Sequence, residues 1–102
     1  MDAEILLKKF QVTIRFEMDD EFMTHVPAHR VYINSLIENG IIDQYLVSME
    51  SRRSWITLSA QNKISVIEYL KKSPLYAYWK YEIDELFLFD GQHYRLPVVR
   101  LN

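Results

Sequence analysis

The sequence predicts an α+β fold of the ferredoxin-like βαββαβ type, with two amphipathic helices covering one face of a four-stranded antiparallel sheet. Three observations predict it. The first segment alternates apolar and polar residues, an apolar stripe at three- and four-residue spacing follows it, and the same order of elements recurs in the second half of the chain. The length of 102 residues predicts one domain over residues 1–102, in which 90–102 form a C-terminal extension.

The first strand is predicted over residues 10–18, because apolar and polar side chains alternate there. The apolar face consists of Val12, Ile14 and Phe16. The opposite face consists of Gln11, Thr13, Arg15 and Glu17. One face is therefore expected to rest on the core, while the other stays open.

An apolar stripe at helical spacing predicts the first helix. The stripe consists of Phe22, Val26, His29, Ile33, Leu36 and Ile37. We expect a short turn at the acidic residues 19–21 and the main helix from about Val26, because Pro27 fits a helix only in its first turn. Gly40 is predicted to end this helix.

The second and third strands are predicted over residues 41–49 and 53–58, on either side of a polar turn. Asp43 and Tyr45 are two residues apart in the second strand, and we expect them on one face because side chains alternate along a strand. Ser59 follows the third strand and is predicted to cap the second helix, since its hydroxyl can accept a backbone N–H.

The second helix is predicted from an apolar stripe formed by Ile64, Ile67 and Leu70. Pro74 is expected to stop it, and a long aromatic fourth strand is expected over residues 78–89. Asp90-Gly91 then predicts a hairpin turn that leads into a short fifth strand at residues 92–96. We expect this C-terminal tail to cover a subunit edge or a neighbour's pocket.

The composition excludes several classes of function. The 12 Lys and Arg against 14 Asp and Glu, with a formal charge of −2, argue against a nucleic-acid binder, which usually carries a basic face. The absence of Cys excludes disulfide scaffolds, thiolate zinc sites and Cys nucleophiles. We find neither a secretory signal nor an apolar run long enough to span a membrane, and therefore expect a cytoplasmic protein.

Seven Tyr, five Phe and two Trp are more aromatic surface than a core of this size hides easily. A pocket or a partner subunit is expected to take up the excess. Tyr45, Trp55 and Tyr78 are expected to shape a pocket for a small-molecule ligand, because aromatic rings with polar ends line such pockets. The open sheet face is expected to pack against a second copy of the chain.

His29 is the candidate for chemistry, because it lies on the stripe that faces the sheet and its ordinary pKa of about 6.5 suits a general base. Asp43 is a candidate to orient the imidazole by accepting its N–H. A histidine on an apolar stripe is also common as a hydrogen-bonded structural residue, and both interpretations stay open. No metal site is predicted, because Pro27 separates His25 from His29 and no third ligand is evident.

Two segments resemble known families. Residues 73–83, SPLYAYWKYEI, are similar to the helix end and final strand of muconolactone isomerases, in which a Leu-Pro-Leu-Phe-Pro-Tyr run precedes an apolar strand. Residues 26–29, VPAH, followed by Gly40, resemble the start and end of the first helix in YciI-like proteins. Both families belong to the dimeric α+β barrel superfamily, and the resemblance covers most of residues 10–89.

The resemblance implies a homodimer, or a larger oligomer, whose sheets form a shared barrel and whose subunits each hold a small pocket between sheet and helices. It implies an isomerase or lyase that moves a proton within a small molecule without a cofactor, using His29 and its candidate partner Asp43. Residues 42–47 contain no basic residue, unlike the second strand of muconolactone isomerases, which argues against that activity itself. The alternative is a non-catalytic barrel that binds a small ligand or only dimerises.

Overall fold

The computed structural model describes residues 6–91 as one antiparallel sheet with two α-helices. The strands are β1 (Lys8–Phe16), β2 (Ile42–Ser48), β3 (Arg53–Ala60) and β4 (Trp79–Glu85). The helices are α1 (Val26–Glu38) and α2 (Lys63–Lys71), with short 3-10 turns at Phe22–His25 and Tyr76–Tyr78. The strand order β2-β3-β1-β4 confirms the predicted α+β fold with ferredoxin-like topology.

Both helices cover the same face of the sheet. Val12 pairs with Ile56 on β3 and with Ile83 on β4, so the apolar side chains of three strands point to one side. Ile33 of α1 and Val66 of α2 pack into the same cluster. The alternation predicted for β1 is therefore confirmed, and it aligns the core across the central strands.

The ends of α1 follow the local sequence. Pro27 lies in the first turn, where its missing N–H removes no helical hydrogen bond. Gly40 has a φ of +77°, a left-handed conformation that favours glycine, and its N–H donates to the carbonyl of Ile37. Both predictions for this helix are confirmed.

The fourth strand is shorter than predicted, because it ends at Glu85 and not at residue 89. Its partner β1 begins at Lys8, and the N–H of Leu86 makes the last bond of this edge to the carbonyl of Lys9. Phe87 and Leu88 then lie exposed beyond the sheet. The predicted fifth strand at 92–96 and the tail that continues it lie outside the described residues.

The cap and the apolar stripe of α2 both differ from the prediction. Ser59 lies inside β3, and Asn62 is the capping residue, since its side chain accepts the N–H of Ser65 at 2.9 Å. Val66 lies in the core with none of its surface exposed, while Ile64 is 68% exposed. The inner face of α2 therefore carries Val66 and Leu70, four residues apart, so the prediction is confirmed for Leu70 and wrong for Ile64.

A β-bulge in β2 separates Asp43 from Tyr45. Ile42 pairs with Leu58 and Tyr45 pairs with Ile56. Two residues of β2 therefore lie opposite one residue of β3, and the extra residue places Ile42 and Tyr45 on the same face. Tyr45 therefore points toward the helices. The expectation that Asp43 shares its face is wrong, because Asp43 accepts a hydrogen bond from Nζ of Lys9 at 2.8 Å on the open face.

We expect Asn62→Ala to lower the free energy of unfolding by about 1 kcal/mol, because the N–H of Ser65 loses its acceptor. Urea unfolding measures the effect. The exposed neighbour Gln61 is the matched control, and Gln61→Ala is expected to change stability by less than about 0.5 kcal/mol. Equal effects of the two substitutions would contradict the assignment of the cap.

Val66→Ala is expected to destabilise the protein by about 2 kcal/mol, because it leaves a void in the closed core. Ile64→Ala on the same helix is expected to have an effect near zero, since that side chain is largely in water. Thermal unfolding of the two variants compares the observed inner face of α2 with the one that the sequence predicts. A larger loss for Ile64→Ala would contradict the structure.

Candidate functional site

A cavity of about 160 Å³ lies between α1, the end of β1 and strand β2, and we call it the His29 cavity. Its wall is largely apolar and includes Phe16, Phe22, Val26, Val47, Leu75 and Trp79. Its polar lining residues are His29, Arg30, Tyr45 and Ser54. An apolar enclosure with a few convergent polar groups is the usual form of a small-ligand site.

His29 lies at the inner end of this cavity, with 1% of its surface exposed. Its Nδ1 lies 2.7 Å from Oγ of Ser73, and its Nε2 lies 2.7 Å from the phenol oxygen of Tyr45. Both ring nitrogens are therefore hydrogen-bonded, as burial of a polar ring requires. The imidazole links α1 to β2 and to the segment that precedes β4.

The surroundings of Ser73 fit either tautomer of His29. Oγ of Ser73 accepts the N–H of Leu75 at 3.0 Å and has a hydroxyl proton and a second lone pair for Nδ1 of the imidazole. In the tautomer with the ring proton on Nε2, the imidazole donates to the oxygen of Tyr45. The phenol then keeps its own proton, and the Ser54 hydroxyl beside it also lines the cavity.

Burial sets the ionisation of the pair. Desolvation by burial, with a smaller contribution from the charge of Arg30, lowers the pKa of His29 to about 4. Burial also raises the pKa of Tyr45, against smaller opposite effects of the Ser54 hydroxyl and of Arg30. At neutral pH the site therefore contains a neutral imidazole and a protonated phenol.

Arg30 places a positive charge at the rim of the His29 cavity. The side chain is exposed, and its charge acts on both His29 and Tyr45. The ion pairs among residues 6–91 are Lys8–Glu85 and Lys9–Asp43, so Arg30 has no carboxylate partner within that range. An anionic group of a ligand in the cavity would find this cation beside the Tyr45 hydroxyl.

The structure brings together only part of the predicted site. His29 and Tyr45 meet in the cavity. Trp55 pairs with Thr13 and therefore lies on the open face, on the other side of the sheet from His29. The bulge turns Asp43 to that same open face, so the expected His29–Asp43 pair does not form and Tyr45 and Ser73 take its place.

Tyr78 lies beside the His29 cavity without lining it. Its ring packs edge-on against Phe22, with the ring centres 5.1 Å apart. It lines a neighbouring open cleft together with Asp19 and Lys80. Its expected role in shaping the pocket is therefore indirect, through the position of Phe22.

Ser73 and Arg30 are the site residues that sequence reasoning missed. Ser73 comes 44 residues after His29, and its only local signal is the adjacent proline that ends a helix. Arg30 directly follows His29 on α1. A search for the residues of one apolar helix face does not select it. A search for polar residues flanking the candidate histidine would have found Arg30, whereas the proline beside Ser73 indicates only the end of a helix.

Neither a metal site nor a membrane-spanning helix is found in the described part of the chain. Among residues 6–91, no three His, Asp or Glu side chains lie close enough together to hold a metal ion. No α-helix in that range has the length and apolar character needed to cross a membrane. Comparison with protein-family models and with curated proteins finds no match.

Lowering the pH is expected to destabilise the fold through His29. Between pH 6.5, its ordinary pKa, and about 4, its folded value, the unfolded chain binds a proton that the folded chain does not. The contribution of neutral His29 is complete above pH 6.5 and is lost toward pH 4, by about 3 kcal/mol. Urea unfolding across this range measures it.

His29→Gln provides the comparison, because this variant lacks the imidazole and is otherwise identical to the parent protein. We expect a shallower loss of stability between pH 6.5 and 4 in this variant. The same slope in both proteins would show that His29 does not stay neutral in the fold.

Proposed function

We propose that the protein binds a small, largely apolar molecule with an acceptor oxygen in the His29 cavity and moves a proton on it, as a cofactor-free isomerase or lyase does. The observation that carries the proposal is a buried, neutral His29 bonded to Tyr45, whose hydroxyl reaches an apolar cavity. Placing a proton donor in a poorly solvated site strengthens its action on a ligand.

The dimensions of the cavity support a small ligand. A void of roughly 150 Å³ accepts a molecule of the size of benzene, and the volume here is about 160 Å³. The apolar wall favours a hydrocarbon body, while Tyr45 and Arg30 favour a carbonyl or carboxylate at one end. A cyclic ketone or a short oxo acid has these properties.

Tyr45 is the group that would touch the ligand, and His29 is a positioning residue behind it. In an enolisation, the carbonyl oxygen of the ligand takes the Tyr45 proton, while the adjacent carbon loses its proton to water at the cavity mouth. The Nε2–H of His29 and the charge of Arg30 stabilise the phenolate until it regains a proton from that water. His29 lines the cavity but has no free nitrogen for a hydrogen bond to the ligand, because both nitrogens are already bonded.

A second candidate is ligand binding without turnover. The pKa of about 4 and the two bonded nitrogens of His29 favour it, because such an imidazole is a poor proton acceptor at neutral pH. His29 would then serve only to hold Tyr45 in place for recognition of the ligand.

The homodimer implied by the sequence resemblance stays a prediction. The open sheet face that would form its interface includes Trp55 and Leu46, and Leu46 is 53% exposed. These two residues are neighbours across β2 and β3, so they form an apolar patch that a second copy could cover.

Proton transfer can be tested with cyclohexanone and 2-oxobutanoate in D₂O, using proton NMR to follow loss of the signals of hydrogens next to the carbonyl. We expect the protein to accelerate this exchange and Tyr45→Phe to lower the acceleration about 100-fold, because the acid is removed. Tyr78→Phe is the matched control, since Tyr78 lies outside the cavity, and its exchange rate is expected to be unchanged.

Saturation-transfer NMR on the same samples distinguishes the two candidates. Binding with exchange that depends on Tyr45 supports proton transfer. Binding without exchange assigns the cavity to recognition alone, and exchange that survives Tyr45→Phe overturns the role of the phenol.

A further inference from the structure

Three basic side chains lie next to one another across the open face of the sheet. Arg15 on β1 pairs with Arg53 on β3 and with Lys80 on β4. The flanking residues Ile14 and Phe16 point into the core, so these three side chains point away from it. We call Arg53, Arg15 and Lys80 the cation row.

The charges of the cation row oppose one another. Directly opposite side chains on paired strands have their Cβ atoms about 5 Å apart, and like charges at such positions are destabilising. Both ion pairs found within residues 6–91 use lysines at the start of β1, and neither includes a member of the row. Within residues 6–91, Glu82 is the single carboxylate that lines the same cleft, against three cations.

The row also lines a concave surface. A cleft of about 190 Å³ is lined by Thr13, Tyr81, Glu82 and the three cations. Arg15 and Lys80 continue into an adjoining open cleft, which Tyr78 lines. Two guanidinium groups, an ammonium and a hydroxyl thus converge on a space large enough for a compact anion.

We propose that the cation row binds a multiply charged anion of the phosphate type, such as the phosphate or pyrophosphate group of a small molecule. Guanidinium groups match phosphate oxygens in bidentate geometry, and three cations suit a group of charge about −2 or −3 better than a single carboxylate. This site lies on the opposite side of the sheet from the His29 cavity and is independent of the function proposed for it.

The surroundings favour a small anion over a nucleic-acid strand. Glu17 and Asp19 line the adjoining cleft, and Asp84 lies two residues beyond Glu82 on β4. A polyanionic strand leaving the row would pass these carboxylates, whereas a compact group confined to the cleft would not.

Titration with pyrophosphate in phosphate-free, low-salt buffer, followed by backbone amide NMR, tests the site. We expect shifts concentrated at Thr13, Arg15, Arg53 and Lys80. Arg15→Gln is expected to weaken binding about tenfold or more, because it removes a charged hydrogen-bond donor. Lys63→Gln is the matched control, since it removes one positive charge from the exposed start of α2, and its binding is expected to change less than about twofold.

Thermal unfolding supplies a second readout. Pyrophosphate is expected to raise the unfolding temperature of the parent protein, and Arg15→Gln is expected to remove this rise. Without pyrophosphate the variant is expected to be no less stable than the parent, because the substitution relieves like-charge opposition. Lys80→Gln repeats both measurements at the edge of the row if Arg15→Gln fails to fold.

Three results would overturn the proposal. One is the absence of amide shifts at the cation row. Another is that Lys63→Gln weakens pyrophosphate binding as much as Arg15→Gln does, which would mean that the anion is attracted only by the overall charge of the protein. The third is a dimer, detected by sedimentation, in which pyrophosphate does not shift the amides of the cation row. That result would assign the row to contact with a second copy of the chain.

Discussion

The desolvation of His29 is the constraint on which the candidate site depends. An imidazole with 1% of its surface exposed is tolerated only when neutral and bonded at both nitrogens. Ser73 and Tyr45 supply those bonds from two separate parts of the chain, at 2.7 Å each. The histidine therefore joins α1, the approach to β4 and strand β2, and this link holds the Tyr45 hydroxyl at the edge of the cavity.

The bulge in β2 divides the chemistry of the protein between the two faces of the sheet. By adding one residue, it turns Tyr45 toward the neutral, helix-covered side and leaves Asp43 with Lys9 on the open side. The open face carries charged and polar side chains beside the apolar patch of Trp55 and Leu46, and Oγ of Ser59 accepts a second hydrogen bond from Nζ of Lys9 there. The largely shielded carboxylate of Asp43 is paired with Lys9 there, while the covered face keeps a neutral hydrogen-bonded pair.

The surplus of aromatic residues is used mainly on the covered face. Phe16 stacks on Phe22 with ring centres 5.3 Å apart, and both line the His29 cavity. The rings of Trp79 and His29 are nearly perpendicular with centres 5.7 Å apart, and Trp79 also contacts Tyr76. The large rings leave a space between sheet and helix where smaller side chains would close it, and that space is the candidate site.

Periodicity alone determined the strand and helix order, the apolar face of β1 and the burial of His29, because each depends on spacing within a few residues. Proline and glycine likewise located the ends of α1. Only the tertiary structure decided the partners of His29, since Ser73 lies 44 residues away and Asp43 is displaced by a bulge that no local pattern marks. It also decided that Trp55 faces away and that three cations align, because strand register depends on pairing between distant segments and not on either segment by itself.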